Sequence, residues 1–172
     1  MKRIKHIDCY YVDNDISSLD NFRYHFKLES NHTLYTFNSV QRFLNKLSND
    51  SKENSFKVVI INNMIISKGL NTKTAIELLP VIKSINKNIE VIIMADSENI
   101  DLKATSGNIR PASFVKKDNQ SFIILYSIIS RLISEHELKN KYRAFNIVVI
   151  VSLVIIIVSL LILIFAPKLF NF

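Results

Sequence analysis

The chain has 172 residues, 48% of them hydrophobic, and a formal net charge of +7, enough for one ordinary domain and an appendage. The charge falls to +6 without Lys168, and the basic residues are scattered, which argues against a nucleic-acid-binding stripe and leaves a modest attraction to anionic lipid. The only glycines, Gly69 and Gly107, are too far apart for a phosphate loop, and the single Cys9 can make no internal disulfide, which suits a reducing compartment.

Residues 6–12, HIDCYYV, are short, apolar and rich in strand formers, and Asp13-Asn14-Asp15 ends them. Ile16, Leu19, Phe22 and Phe26 repeat at helical spacing and predict a helix over 16–28. A second strand is expected over 33–37, and Val40, Phe43, Leu44 and Leu47 predict a helix that ends in the polar loop 48–55. The run 57–61, KVVII, is nearly all apolar, as in parallel strands covered on both faces. Residues 74–85 read as a helix that Pro80 should kink or shorten. Residues 89–94 read as a fourth buried strand, 102–109 as a poor helix at best, and 112–115 as a fifth strand after Pro111. From Gln120 to Phe165 there is neither Gly nor Pro, so one helix is expected throughout. Strands alternating with helices imply an α/β fold with a parallel sheet.

Residues 147–166, IVVIVSLVIIIVSLLILIFA, carry no charge, and only Ser152 and Ser159 are polar. A helix of that length spans roughly 30 Å, the hydrocarbon thickness of a bilayer. The expected order is a cytoplasmic domain over 1–138, a basic juxtamembrane segment over 139–146, a transmembrane helix over 147–166 and a short far-side tail over 167–172. Lys139, Lys141 and Arg143 precede the span and only Lys168 follows it, which places the N-terminal domain in the cytoplasm of a single-pass membrane protein. The N-terminus lacks the apolar stretch of a signal peptide. Ser152 and Ser159, seven apart, fit either a helix–helix contact or a chance pair.

In parallel α/β sheets, ligands bind at the carboxyl ends of the strands. Those ends carry Asp13-Asn14-Asp15, Asn62-Asn63, Ala95-Asp96 and Lys116-Lys117. With YVDNDISSLDNF, KVVIINNMI, VIIMADSEN and ASFVKKDNQ around them, residues 4–138 resemble the receiver domain of bacterial response regulators. That resemblance implies a flavodoxin-like fold, a five-stranded parallel sheet with helices on both faces. It also implies two adjacent acids holding Mg²⁺, a phosphoacceptor Asp, a hydroxyl residue and a Lys at the strand ends. Carried across, Asp13 keeps the first acid and Asn14 replaces the second. Asn62 stands at the acceptor, Ala95 at the hydroxyl, and Lys117 is kept. Phe114 takes the aromatic switch position, and Asp118 replaces the usual proline.

An amide is a far poorer nucleophile than a carboxylate, so the resemblance implies a degenerate pseudo-receiver without the phosphorylation chemistry. Asp13 is at most a weak metal candidate, and Lys117 is expected to pair with it across the empty pocket. No cofactor is then expected. Phe114, Lys116 and the start of the last helix would form the partner surface. The expected role is a protein-contact module, or a subunit of a membrane complex, with partners at the cytoplasmic face and in the bilayer, homo-oligomers included. The alternative is a true phosphoreceiver in which Asp15 or Asp96 accepts the phosphoryl group with Mg²⁺. His6, His25, His32 and His136 show no metal-ligand spacing, and no nucleophile–base pair points to an enzyme.

Overall fold

The computed structural model describes residues 6–26, 32–50, 55–65, 73–96, 109–118 and 120–170. In order they form β1 (His6–Val12), α1 (Ile16–His25), β2 (His32–Phe37), α2 (Val40–Ser48), β3 (Ser55–Asn62), β4 (Met64–Ile65), β5 (Lys73–Thr74), α3 (Ala75–Ile85), β6 (Glu90–Ala95), β7 (Ser113–Lys116) and α4 (Ser121–Phe170). By contact the chain divides into two compact units, residues 2–133 and 134–172.

The first unit is built on a parallel sheet of order β2-β1-β3-β6-β7. Side chains alternate across a strand, and β1 shows the result. Ile7, Cys9 and Tyr11 join Phe22 of α1 and Leu125, Ile129 and Leu132 of α4 in one core. Tyr10 and Val12 join Phe43 of α2 and Leu78, Leu79 and Ile82 of α3 in the other. Helices therefore cover both faces, which is why the strands read as unbroken apolar runs. The sheet grows outward from β1 in both directions, to β2 and to β3. That reversal opens a crevice at the carboxyl ends of β1 and β3.

Some local expectations are corrected. Helix α1 ends at His25 rather than Leu28, because Phe26 leaves the helical path and buries its ring against Tyr126, centroids 4.7 Å apart. Pro80 does not break α3, which spans eleven residues. A proline there forfeits the single bond to the Ile76 carbonyl, while buried Leu78, Leu79 and Ile82 hold the helix to the sheet. The antiparallel ribbon of β4 and β5 is unforeseen, since two-residue strands leave no pattern in the sequence. Most of the expected poor helix over 102–109 lies outside the described residues; Ile109 itself is not helical.

Helix α4 continues into the second unit and runs past the expected end at Phe165 to Phe170. Every side chain from Ile147 to Ile162 is exposed. Among the described residues this is the one helix long and apolar enough to cross a membrane.

Candidate functional site

Asp13 directly follows β1 at the crevice and is fully buried. Its own N–H donates to the Phe37 carbonyl at 3.0 Å, so the end of β2 fixes its backbone. The turn that follows folds the Asp15 N–H back onto Asp13 Oδ1 at 3.1 Å. Asn62, the last residue of β3, donates its Nδ2 to the same oxygen at 3.0 Å. Oδ2 accepts from Lys117 Nζ at 2.7 Å, Ser18 Oγ at 2.9 Å and the Tyr11 hydroxyl at 2.9 Å. Five donors thus meet a carboxylate that offers about four lone-pair directions.

Burial alone pushes the Asp13 carboxyl up, but the hydrogen bonds of Lys117, Asn62 and the Asp15 N–H outweigh it, and the group sits below the ordinary aspartate value. Asp13 is therefore an anion held by a cation and four neutral donors. Burial and the adjacent Asp13 push the Tyr11 phenol up, so it stays protonated and donating.

The other strand-end residues stand apart from this network. Asn14 is half-buried on the turn and is not among the donors to Asp13. Asp15 is exposed and caps α1, its carboxylate accepting from the Ser17 N–H at 3.0 Å and the Ser17 hydroxyl at 2.8 Å. Ala95 ends β6, 5% exposed, and contributes only its carbonyl, which accepts from the Lys117 N–H at 2.8 Å. Asp96 is exposed beyond it. Phe114 is half-buried and packs against the α2–α3 core, whereas Lys116 is exposed at the end of β7. Asn62 Oδ1 accepts from the Met64 N–H at 3.4 Å, and Asn63 Oδ1 is buried without a hydrogen-bond partner.

Tyr11 and Ser18 were missed at the sequence level. A signal for each existed: Tyr11 lies two before Asp13 and shares its side of the strand, and Ser18 stands in the first turn of the helix that Asp15 caps.

The architecture can be set beside known proteins. Solved structures with the same fold include a response regulator receiver domain from Clostridium thermocellum, 18% identical, covering 77% of this chain and 98% of its own, with a TM-score of 0.60. A CheY-like receiver domain from Methanospirillum hungatei is 15% identical with the same coverage and a TM-score of 0.61. Full-length FixJ from B. japonicum is 22% identical, covering 78% of this chain and 61% of its own, with a TM-score of 0.61. The fold is the receiver fold. No protein-family model and no curated protein matches the sequence.

In a receiver, Mg²⁺ would draw on the acids after β1 and the acceptor after β3. The residues here fit it poorly. A hard cation wants several anionic oxygens, whereas the Asp13 oxygens are already filled by donors and Asn62 turns its amide N–H₂ toward them. Asp15 directs its carboxylate to its own helix cap. Lys117 neutralises Asp13, so the crevice holds an ion pair rather than an excess of negative charge. Among the described residues no group of three or more His, Cys, Asp or Glu is placed to hold a metal ion.

Proposed function

We propose that this chain is a membrane-tethered, receiver-like protein that carries no phosphoryl group and acts by protein contact, as an interaction module or subunit of a membrane complex. One observation carries the reading. The Asn62 side chain stands at the acceptor position and donates to Asp13, while Lys117 closes the other oxygen of the same carboxylate. A side chain in that role is a structural donor, and an amide does not attack phosphorus at a useful rate. On this reading the protein needs no cofactor, is no enzyme and binds no nucleic acid.

Contact surface remains once the chemistry is gone. Lys116, Ile109, Ile123 and Ile124 are exposed on and around β7 and the start of α4, Ile123 at 72%. This supports a protein partner at the cytoplasmic face, with 147–166 as a single-pass anchor and the basic segment 139–146 on the inner side.

The test treats the full chain in detergent micelles with acetyl phosphate or beryllofluoride and Mg²⁺, followed by intact-mass measurement and fluorine NMR. No adduct is expected. A stoichiometric adduct at Asp15 or Asp96 overturns the reading in favour of a phosphoreceiver with a displaced acceptor.

A further inference from the structure

Leu138, Tyr142 and Phe145 are 50%, 68% and 65% exposed. They precede the apolar span and sit among Glu135, Glu137, Lys139, Asn140, Lys141, Arg143 and Asn146, so they are large apolar groups in a polar stretch. Their spacing is four and then three, which puts them on one face of the helix with the 3.5-residue period of a coiled-coil seam.

The same face continues into the span. Steps of four, three, four and three lead from Phe145 to Val149, Ser152, Ile156 and Ser159. Ser152 and Ser159 are the only polar residues between 147 and 162, and both fall on this face. Each lies a whole number of heptads beyond Leu138 and Phe145. Exposed apolar groups before the span and small polar groups within it are independent features, yet they share one phase. Ser159 Oγ donates to the Ile155 carbonyl at 2.9 Å. Its hydroxyl is satisfied inside its own helix, so the residue acts as a small side chain that lets another backbone approach.

We infer that α4 pairs in parallel with α4 of a second copy of this chain along this seam. A heptad seam is complementary to itself, a property that a seam for a different partner need not have. Copies inserted with the same topology present their helices in parallel. In that arrangement Lys141 faces Asn146 of the second copy, so the basic residue beside the seam opposes a neutral one; the seam begins at Leu138, because one step earlier it would set Glu135 against its own copy. A strict seven-residue repeat gives a left-handed crossing near 20°. The inference rests on the reading of 147–166 as a membrane span.

The test uses the full chain in membranes, with one added cysteine per variant. Native Cys9 is wholly buried and its thiol is pushed up to about 12 by burial first and then by Asp8, so it stays unreactive at neutral pH. Leu138→Cys and Phe145→Cys should form disulfide-linked dimers under mild oxidation at least about fivefold more than Asn140→Cys and Ala144→Cys, which lie off the seam. Adding Ser152→Ile and Ser159→Ile to the Phe145→Cys variant should reduce its dimer by about tenfold, the effect of losing close helix packing. Equal linking at all four positions, or none, in chains that resist alkaline extraction overturns the seam while leaving the span intact. Tyr142 and Phe145 are then interfacial anchors facing lipid. Release of the chain by alkaline extraction overturns the span, and the seam with it.

Discussion

Two aspartates, one in β1 and one just past its end, are equally buried and meet opposite surroundings. Asp13, at the carboxyl end, is held by five donors, whereas Asp8, near the amino end, has no hydrogen-bond partner on either carboxylate oxygen among the described residues. His6 Nε2 lies 3.2 Å from Asp8 Oδ1 but bonds the Thr33 hydroxyl at 2.7 Å. Lys57, in register with Asp8 on β3, sends its ammonium to the Asp50 carbonyl at 2.8 Å. A buried carboxylate with full partners stabilises a fold, while one without them strains it. The crevice end of β1 is thus a finished structural joint, and the opposite end is not.

That contrast can be broken most directly at Lys117. Lys117→Met leaves Asp13 buried without its cation, and losing one partner of a buried pair costs about 3 kcal/mol, discounted to the low end because Lys117 is 20% exposed at its side chain. A thermal melt should fall by roughly 10 °C; an unchanged melt would show that Asp13 is not anionic. Asp8→Asn should move the other way. Replacing a buried carboxyl that lacks a hydrogen-bond partner among the described residues leaves stability equal or raises it by about 1–2 kcal/mol, and a clear drop in the urea midpoint would show that the His6 contact at 3.2 Å holds it in place.

Tyr11→Phe removes one of three donors to Asp13 Oδ2 and stands to lose about 1 kcal/mol; a loss equal to that of Lys117→Met would contradict the ranking of the ion pair above the neutral donors. The smallest signal is acidic. Because the Asp13 value is lowered in the folded state, its contribution is complete above the unfolded aspartate value of about 3.9 and disappears as the pH falls through the folded one. Ellipticity followed against pH should show Asp13→Asn losing less stability than the parent below about pH 4, by up to about one proton's worth of slope. Parallel acid limbs in the two proteins would refute this.

Much of the sheet was legible because β1, β3 and β6 are buried on both faces and leave continuous apolar runs. The strand-end residues were legible for a related reason: the topology brings Asp13, Asn62 and Lys117 to one edge from three separate strands. The end of α1 was not, because Phe26 keeps the helical phase of Phe22 while its ring turns into the core at a cap. The β4–β5 ribbon is too short for any periodicity. Tyr11 and Ser18 escaped notice because an apolar-looking strand residue and a helix-start serine each have a commoner role, and only three-dimensional proximity to Asp13 gives them this one.

Helix α4 also bears on how the protein is made. Leu125, Ile129 and Leu132 complete the core around Tyr11 and Phe22, yet they are among the last residues of their unit to leave the ribosome, and after the short polar stretch that follows them comes the apolar one. Until they emerge, the α1 side of the sheet lacks its cover. Completion of the core and emergence of the apolar stretch therefore fall close together in synthesis. A pause in translation there would expose a half-closed core and an unhoused apolar helix together, the combination most prone to aggregate during biogenesis.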